Sequence, residues 1–422
     1  MLTLPPTPDE VGNAMAGRSS AIAVAGLLVT CTVLGLAGID LILPAIPVLP
    51  DLLGGSIGEA QWVLAMFTAG TGVGLLLFGE LGARWDVRTM LTLALAVYAL
   101  TSLAAALVDS LPPLIALRFL QGVAASCAAV ITPGIVRALF DEAGALRALG
   151  VLGSVESLAP AIAPIIGVWL LVQGGWSASF WVTACAAAAL SGLVFCVRGR
   201  IPRIEGRRSG LGYVLLIRNT RFQRYALSQG LALASLLVFV FAMPTVFVVA
   251  LGGEIRDFIT MQVLGILSFI VAANSSSVLV RRVGAEATIF GGSLLALAGS
   301  TLMCLYGLSG GADARVIWAL FIPVNMGFGF RGPPSFLLAL QASEGDDARA
   351  SALVVLYVML ATALGTTLLS PFVAIGLWPA AGASAVLGAL SLVLLRVLPP
   401  LSTSESLSGL ESTSRSKSTA ER

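Results

Sequence analysis

Long apolar segments dominate this chain. About a dozen runs, each long enough to cross a ~30 Å hydrocarbon core as a helix, follow one another between residues 21 and 398. A helix satisfies its own backbone hydrogen bonds in lipid, and runs of about 20 apolar residues are typical of helices and not of barrel strands. The sequence therefore predicts an all-α membrane protein.

The composition limits what such a protein can do. Hydrophobic residues make up 57% of the 422 residues and charged residues only 11%, whereas soluble domains carry roughly a quarter charged residues. So little loop remains that a separate soluble catalytic domain has no room. We therefore expect the helices themselves to carry the function, as passage, sensing or chemistry inside the bilayer.

Residue types that are missing exclude several chemistries. Histidine is absent, so Ser-His-Asp or Cys-His catalysis and histidine metal sites are excluded, and any proton carrier must be a carboxylate. No G-x-x-x-x-G-K-[ST] motif is present, which disfavours nucleotide-driven pumping. No metal and no cofactor is expected. The five scattered cysteines lack C-x-x-C spacing and are predicted to be small buried hydrophobes; they are Cys31, Cys127, Cys185, Cys196 and Cys304.

The apolar runs and the charges between them predict a topology of twelve transmembrane helices. The predicted spans are 21–43, 60–82, 88–108, 112–140, 148–172, 176–197, 224–251, 257–280, 286–308, 314–342, 348–376 and 377–398. Arginine gathers in alternate connections, and the positive-inside rule makes those connections cytoplasmic. An even number of spans then leaves both termini in the cytoplasm, and we expect a multi-pass protein of the inner (cell) membrane.

A basic segment in the middle of the chain predicts two halves. Residues 198–223 are polar and arginine-rich and fall between six predicted spans on either side. They are interpreted as a cytoplasmic linker between six-helix bundles at 21–197 and 224–398, a plan in which transporters place the substrate site between the halves. Attraction to lipid headgroups explains the arginines better than nucleic-acid binding. The leader 1–20 and the tail 399–422 are predicted to be disordered and cytoplasmic.

Two ionisable residues stand out near the outer side of the first half. A charge inside a span costs about 2.5–3.5 kcal/mol on insertion scales, so such residues usually face a cavity or one another. Asp40 lies near the outer end of the first span and Arg118 about two turns into the fourth, at comparable depth. One interpretation is an ion pair that controls a protonation switch. The alternatives are a helix-end carboxylate in interfacial water and an arginine that ties helices together through backbone carbonyls.

A second group of polar and helix-breaking residues is predicted toward the inner side. Glu156 in the fifth span and Arg331 in the tenth are similar in depth, and they either close a central cleft or meet a charged substrate, or each extends to the inner interface. Pro160, Pro164 and Gly167 are expected to bend the fifth span near mid-membrane. Such a bend is a candidate gate.

Three segments resemble motifs of one transporter family. Asp40 to Pro47 is similar to the D-x-Y-L-P-A-L-P signature of the twelve-span drug:proton antiporters in the major facilitator superfamily, in the bicyclomycin and chloramphenicol resistance branch. Residues 117–122, which include Arg118 and Gln121, are similar to its fourth-helix R-x-x-Q-G motif. Residues 159–167 resemble its fifth-helix antiporter motif. The order and the spans of all three motifs agree with that family.

The resemblance implies a function for these segments. It implies that Asp40 binds protons, that Arg118 takes part in proton coupling, and that the prolines shape the fifth helix for exchange. Gln121 is assigned to the substrate cavity or gate. The implied activity is proton-coupled export of a small, amphipathic organic compound by alternating access. The implied partners are a small-molecule substrate, protons and membrane lipid; no nucleic acid is expected, and we expect a monomer.

The loop after the second span departs from the family pattern. The family has G-x-L-x-D-R-x-G-R-[RK], which is matched by Gly79, Arg84 and Arg88, but Ala83 stands at the aspartate and Asp86 at the glycine. The family aspartate helps to close the inner gate. We therefore expect a gating loop that is either rebuilt around Asp86 or weaker.

Two other functions remain open from the sequence. One is a dedicated exporter or importer of a single biosynthetic metabolite, with Arg331 holding an anionic group. The other is a transporter-derived sensor or assembly factor that moves nothing, which the Ala83 departure favours.

Overall fold

The architecture consists of helices and short turns. The computed structural model describes residues 8–82, 84–202, 212–343 and 347–400. Within those ranges twelve helices have 20 or more residues and no strand is present. They are α1 (Pro8–Asp40), α2 (Ile57–Leu81), α3 (Val87–Ala106), α4 (Leu111–Leu139), α5 (Glu142–Gly174), α6 (Ala178–Val197), α7 (Thr220–Thr245), α8 (Ile255–Val283), α9 (Ala285–Leu308), α10 (Ala314–Gln341), α11 (Asp347–Leu369) and α12 (Leu377–Val397). The predicted all-α fold class is confirmed.

Most of these helices have the length and polarity of membrane spans. Among the described residues ten helical segments are long and apolar enough to cross a bilayer. The helix α10 is not among them; it contains Asn325, Arg331 and three prolines. In α5 the apolar part found is the shorter segment Ile162–Gly174. The chain is a multi-pass integral membrane protein, and the count of twelve spans stays a prediction.

The first helix begins earlier than the sequence predicted. It starts at Pro8, so residues 8–20 of the predicted disordered leader are helical. Proline is favoured in a first helical turn, where its missing N–H costs nothing. Residues 1–7 and 401–422, also predicted to be disordered, lie outside the described residues.

The central linker also differs from its predicted bounds. Residues 203–211 lie outside the described residues, but a short helix occupies Gly212–Arg218. Asn219 then caps α7, because its side chain accepts hydrogen bonds from the N–H groups of Arg221 and Phe222. The seventh helix therefore begins four residues before the predicted start at 224.

Contacts divide the chain into two compact units that do not follow the sequence order. Unit 1 contains the chain up to Ala45 and residues 73–208, and unit 2 contains residues 46–72 and the chain from Ser209 onward. The helix α2 thus contributes its first part to unit 2 and its last part to unit 1. The predicted division into bundles at 21–197 and 224–398 places all of α2 in the first half.

Within the units, the same helix pairs recur six helices apart. In unit 1, α1 packs against α4, α5 and α6, and α3 packs against α4 and α6. In unit 2, α7 packs against α10, α11 and α12, and α9 packs against α10 and α12. Each pair of unit 1 therefore has a counterpart in unit 2.

The cysteines have different surroundings, although all five are free. Cys31 and Cys127 are buried in the apolar core of unit 1, as predicted. Cys185 and Cys196 lie exposed on the surface of α6, and Cys304 is partly buried. The prediction of burial was therefore wrong for the two cysteines of α6, since small side chains on a lipid-facing surface have the same sequence pattern as buried ones.

Candidate functional site

A buried arginine joins three helices of unit 1. Arg118 on α4 is only 1% exposed. Its Nη1 atom donates to the carbonyl oxygen of Gly38 on α1 at 3.1 Å and to Oε1 of Gln121 at 2.9 Å. Gln121 in turn donates from Nε2 to the hydroxyl of Ser102 on α3 at 3.0 Å. This arrangement matches the alternative in which Arg118 ties helices together through a backbone carbonyl.

The sixth helix completes the surroundings of this arginine. The Phe180 ring of α6 lies with its centroid 5.8 Å from Cζ of Arg118, within the range of a cation–π contact. Tyr98 of α3 is close enough to interact electrostatically with the guanidinium. Four helices therefore hold Arg118 in one place, and charged hydrogen bonds in such surroundings are stronger than neutral ones.

Asp40 lies close to this network without being part of it. It is the last residue of α1 and is 6% exposed. Among the described residues, no hydrogen bond or ion pair of its carboxylate is found, so the predicted ion pair with Arg118 is not formed in this structure. The reason is the helix geometry: Arg118 binds the carbonyl two residues earlier, and positions i and i+2 of a helix do not face one another.

The fifth helix packs tightly against the chain that follows Asp40. A Cβ atom added at Gly167 would lie 2.4 Å from the carbonyl oxygen of Leu41, so only glycine allows this approach. Pro160 and Pro164 lie inside the continuous helix α5. Since proline has no N–H, the carbonyls of Glu156 and Pro160 lack their usual helical donor. Glu156 is half-buried; the bend of α5 and the meeting of Glu156 with Arg331 stay predictions.

In the predicted gating loop, the charges bond locally. Gly79 is half-buried near the end of α2, and the exposed Arg84 forms an ion pair with Glu80 one turn earlier at 2.7 Å. Exposed pairs of this kind contribute little to stability. Ala83 lies outside the described residues, so its effect on gating stays a prediction.

The second part of this loop is bound to α3 and α6. Asp86 precedes α3 and accepts a hydrogen bond from the Thr89 hydroxyl at 3.2 Å. Arg88 has its Nε atom 3.7 Å from Oδ1 of Asp86, and its Nη1 atom donates to the carbonyl of Arg198 at 3.0 Å. Asp86 thus pairs with residues of its own helix end. The rebuilding of a gate around Asp86 stays a prediction.

Unit 2 contains a second fully buried arginine. Arg331 on α10 is 1% exposed. Its Nη1 atom donates to the hydroxyl of Ser391 on α12 at 2.8 Å, and its Nη2 atom donates to the hydroxyl of Ser228 on α7 at 2.9 Å. The alternative in which Arg331 extends to the inner interface is therefore wrong, because the neighbouring serines bind the guanidinium inside the unit.

The surroundings of Arg331 are polar but uncharged. Its Nε atom has no hydrogen-bond partner, and in the described part of unit 2 no carboxylate forms an ion pair with it. A small cavity of about 10 Å³ lies beside it, with room for about one water molecule. Its lining includes four more serines: Ser235, Ser293, Ser300 and Ser384. This space is too small for an organic metabolite.

Arg118 and Arg331 occupy related helices at different depths. Each lies on the fourth helix of its half and reaches the first and sixth helices of that half, α1 and α6 or α7 and α12. Arg118 is the eighth residue of α4, whereas Arg331 is the eighteenth of α10. At 1.5 Å per residue the two positions differ by about 15 Å along the helix.

Hydrogen bonds at the start of α2 were not predicted from the sequence. Gln61 donates from Nε2 to the hydroxyl of Thr245 at 2.8 Å, and Trp62 donates from Nε1 to the hydroxyl of Ser370 at 3.1 Å. All four residues belong to unit 2. Thr245 ends α7 and is followed by a π-helical turn over residues 246–250, a feature that is frequent at functional sites.

Sequence reasoning also missed the serine that accepts from Gln121 beside Arg118 and the two serines that bind Arg331. Ser102, Ser228 and Ser391 are buried hydroxyls, and the only signal in the sequence is a serine within an apolar helix. Small residues are common at helix contacts in membranes. That signal therefore does not distinguish a hydrogen-bond acceptor for arginine from a simple packing residue.

Comparisons with known proteins agree with the predicted family. The Major Facilitator Superfamily profile matches residues 28–366. A bicyclomycin resistance protein homolog of Haemophilus influenzae is 27% identical over 255 residues, which are 59% of this chain and 64% of that protein. A chloramphenicol resistance protein of Pseudomonas aeruginosa is 26% identical over 308 residues, which are 72% of this chain and 71% of that protein. The chain thus spans slightly less than two thirds of the first relative.

The fold is also similar to solved transporter structures. The crystal structure of the POT family transporter PepTSo superposes with a TM-score of 0.72 at 11% identity, covering 89% of this chain and 97% of that one. At this identity the similarity concerns the fold alone. The resemblance to the bicyclomycin and chloramphenicol resistance branch is confirmed by the relatives. Because this family profile covers more than half of the chain, the chain belongs to the Major Facilitator Superfamily.

Proposed function

We propose that this chain exports a small, amphipathic organic compound from the cytoplasm in exchange for protons. The relatives named for bicyclomycin and chloramphenicol resistance support export of such a compound. The arginine-rich connections support an inner-membrane protein with both termini in the cytoplasm. Proton entry supplies energy, since each charge that moves through 100 mV yields about 2.3 kcal/mol.

The observation that carries the proton coupling is the placement of Asp40 beside the Arg118 network. Arg118 fixes the end of α1 through the Gly38 carbonyl, while the buried carboxylate two residues later has no partner among the described residues. A buried carboxylate without a counter-ion can be neutralised only by a proton or by a cationic group that enters the site. We assign proton binding to Asp40 and the positioning of the helix end to Arg118.

Alternating access is supported by the division of α2 between the units. The first part of α2 is held in unit 2 through Gln61 and Trp62, and its last part packs in unit 1, where a Cβ added at Gly74 would overlap Val123 of α4. We propose that the hydrogen bonds of Gln61 and Trp62 break and form again in each transport cycle.

The two alternative functions make different demands on the molecule. A dedicated metabolite carrier with its anionic group on Arg331 requires more room than the cavity of about 10 Å³ provides, so Arg331 is not proposed as a substrate ligand. A sensor or assembly factor does not transport a compound, so this alternative predicts that no flux is measured for any compound.

Transport by the purified chain tests the proposed function. The chain is reconstituted into liposomes, a panel of unrelated amphipathic drugs is loaded, and flux is followed with and without an imposed pH gradient. We expect several drugs to move against their own gradient only while the pH gradient lasts. Absence of flux for every compound would contradict the proposal and favour the sensor. Gradient-independent movement of a single compound would contradict multidrug antiport.

A further inference from the structure

An open cavity lies at one end of unit 1, away from Asp40 and Arg118. It has a volume of about 130 Å³ and lies between the beginning of α3 and the end of α6. Its lining combines two arginines, two threonines and two large apolar side chains: Arg88, Thr89, Thr92, Leu93, Phe195 and Arg198. The volume is enough for several water molecules. Neither proposed proton-coupling residue lines this cavity, whereas Arg88 also belongs to the predicted gating loop.

Arg88 contributes a positive charge to the lining of the cavity. Its side chain is 15% exposed, and its Nη1 atom donates to the Arg198 carbonyl. Its Nε atom is buried and has no hydrogen-bond partner, because Oδ1 of Asp86 lies 3.7 Å away and is outside hydrogen-bond distance. A buried N–H of a charged group without an acceptor is costly. An anion that enters the cavity would lie beside this guanidinium and offset its charge.

The charges around the cavity favour an anion. Arg198 adds a second positive charge, and its Cζ atom lies 5.5 Å from the centroid of the Phe195 ring. Asp86 offsets one of the two arginine charges, so one positive charge remains uncompensated among these three residues. Arginine binds phosphate oxygens in a bidentate geometry.

The apolar part of the lining restricts the kind of anion. Leu93 is 51% exposed and Phe195 is 57% exposed, and both belong to membrane-spanning helices. Their surfaces therefore contact acyl chains. The charged rim is formed by connections that are predicted to be cytoplasmic, where anionic lipids are found. A free inorganic anion would leave the apolar lining without a partner.

We propose that this cavity binds the phosphate of an anionic phospholipid of the cytoplasmic leaflet. The phosphate lies between Arg88 and Arg198, and the acyl chains extend along Leu93 and Phe195. The lipid joins the beginning of α3 to the end of α6. Its binding does not depend on whether the chain exports drugs.

Native mass spectrometry of the full chain tests this site. Purified protein is titrated with phosphatidylglycerol, with phosphatidylcholine of the same acyl chains, and with inorganic phosphate alone. The test variant combines Arg88→Gln with Arg198→Gln. The matched control removes two exposed arginines at the end of α8, Arg281→Gln with Arg282→Gln. We expect one phosphatidylglycerol to bind the wild type and the control equally, and the test variant about 30-fold more weakly, at about fivefold per arginine.

Three results would overturn the proposal. One is an equal loss of phosphatidylglycerol binding in the test and control variants, which would show that the lipid is held by general attraction between arginines and headgroups. Another is equal binding of phosphatidylcholine, and the third is binding of inorganic phosphate in place of the lipid. If the double variant does not fold, the single variant Arg198→Gln is used for the test in its place, because replacement of this exposed side chain removes no buried packing. The single variant should bind phosphatidylglycerol about fivefold more weakly, and unchanged binding would contradict the site.

Discussion

Replacement of Gly167 by alanine is expected to disturb the end of α1 where Asp40 lies. The added Cβ atom would lie 2.4 Å from the carbonyl oxygen of Leu41, 3.1 Å from its carbonyl carbon and 3.3 Å from its Cα atom. Ordinary van der Waals contact begins at 3.4 Å, so the two backbones must separate by about 1 Å. Neither can avoid the contact by a side-chain rotation. Overpacking of this kind costs about 1–3 kcal/mol.

A glycine on α6 provides a control substitution that separates the cost of this overlap from other effects of alanine. Gly192 has no atom within 4 Å of an added Cβ, so Gly192→Ala should gain only the helix propensity of alanine, about 1 kcal/mol. Because Gly167→Ala gains the same propensity, the difference in unfolding free energy between the two variants measures the overlap. We expect Gly167→Ala to be about 1–3 kcal/mol less stable than Gly192→Ala in detergent and to export less in liposomes. Equal stability and equal export would refute the packing of α5 on the end of α1.

Three further substitutions test the buried hydrogen bonds. Arg118→Lys loses the planar fork and should destabilise the protein by about 1.5–3 kcal/mol, measured by thermal unfolding, with loss of flux. Ser228→Ala leaves Nη2 of Arg331 without an acceptor and should lower the unfolding free energy by about 1–3 kcal/mol. Gln61→Ala removes the hydrogen bond to Thr245 and should change the rate of exchange between outward-open and inward-open states, followed with a distance probe across the outer side.

Each of these substitutions has an exposed counterpart in the chain. Arg256→Lys, Ser275→Ala and Gln173→Ala change the same residue types at exposed positions and should leave stability and flux close to wild type. If a buried variant behaves like its exposed counterpart, the hydrogen bond assigned to that residue has no energetic role.

The sequence predicted the fold class and most helix positions because apolar length is a strong and local signal. It failed where the signal is weak. The start of α1 at Pro8 extends beyond the apolar run, and Asn219 begins α7 through a cap that lies inside the basic linker. Assignment of the first part of α2 to unit 2 depends on contacts such as the one between Gln61 and Thr245, 184 residues apart. No local pattern encodes them.

The contacts of the candidate site residues could not be predicted from the sequence. Depth along a helix follows from sequence position, so a comparable depth could be predicted for Asp40 and Arg118. Rotation about the helix axis decides which atom Arg118 reaches, and this atom is the Gly38 carbonyl. Arg331 was recognised as unusual, but its partners lie 60 and 103 residues away on other helices. Serines in apolar helices do not reveal such pairing.

Proton movement driven by substrate tests the role of Asp40 most directly. Liposomes that contain a pH-sensitive dye and the wild-type chain receive a gradient of an exported compound, and the change of internal pH is recorded together with flux. We expect Asp40→Asn to transport the compound down its gradient without moving protons. Asp51→Asn, at an exposed carboxylate, should move protons like the wild type. A pH change in Asp40→Asn equal to that of the wild type would contradict the assignment of Asp40 as the proton-binding group.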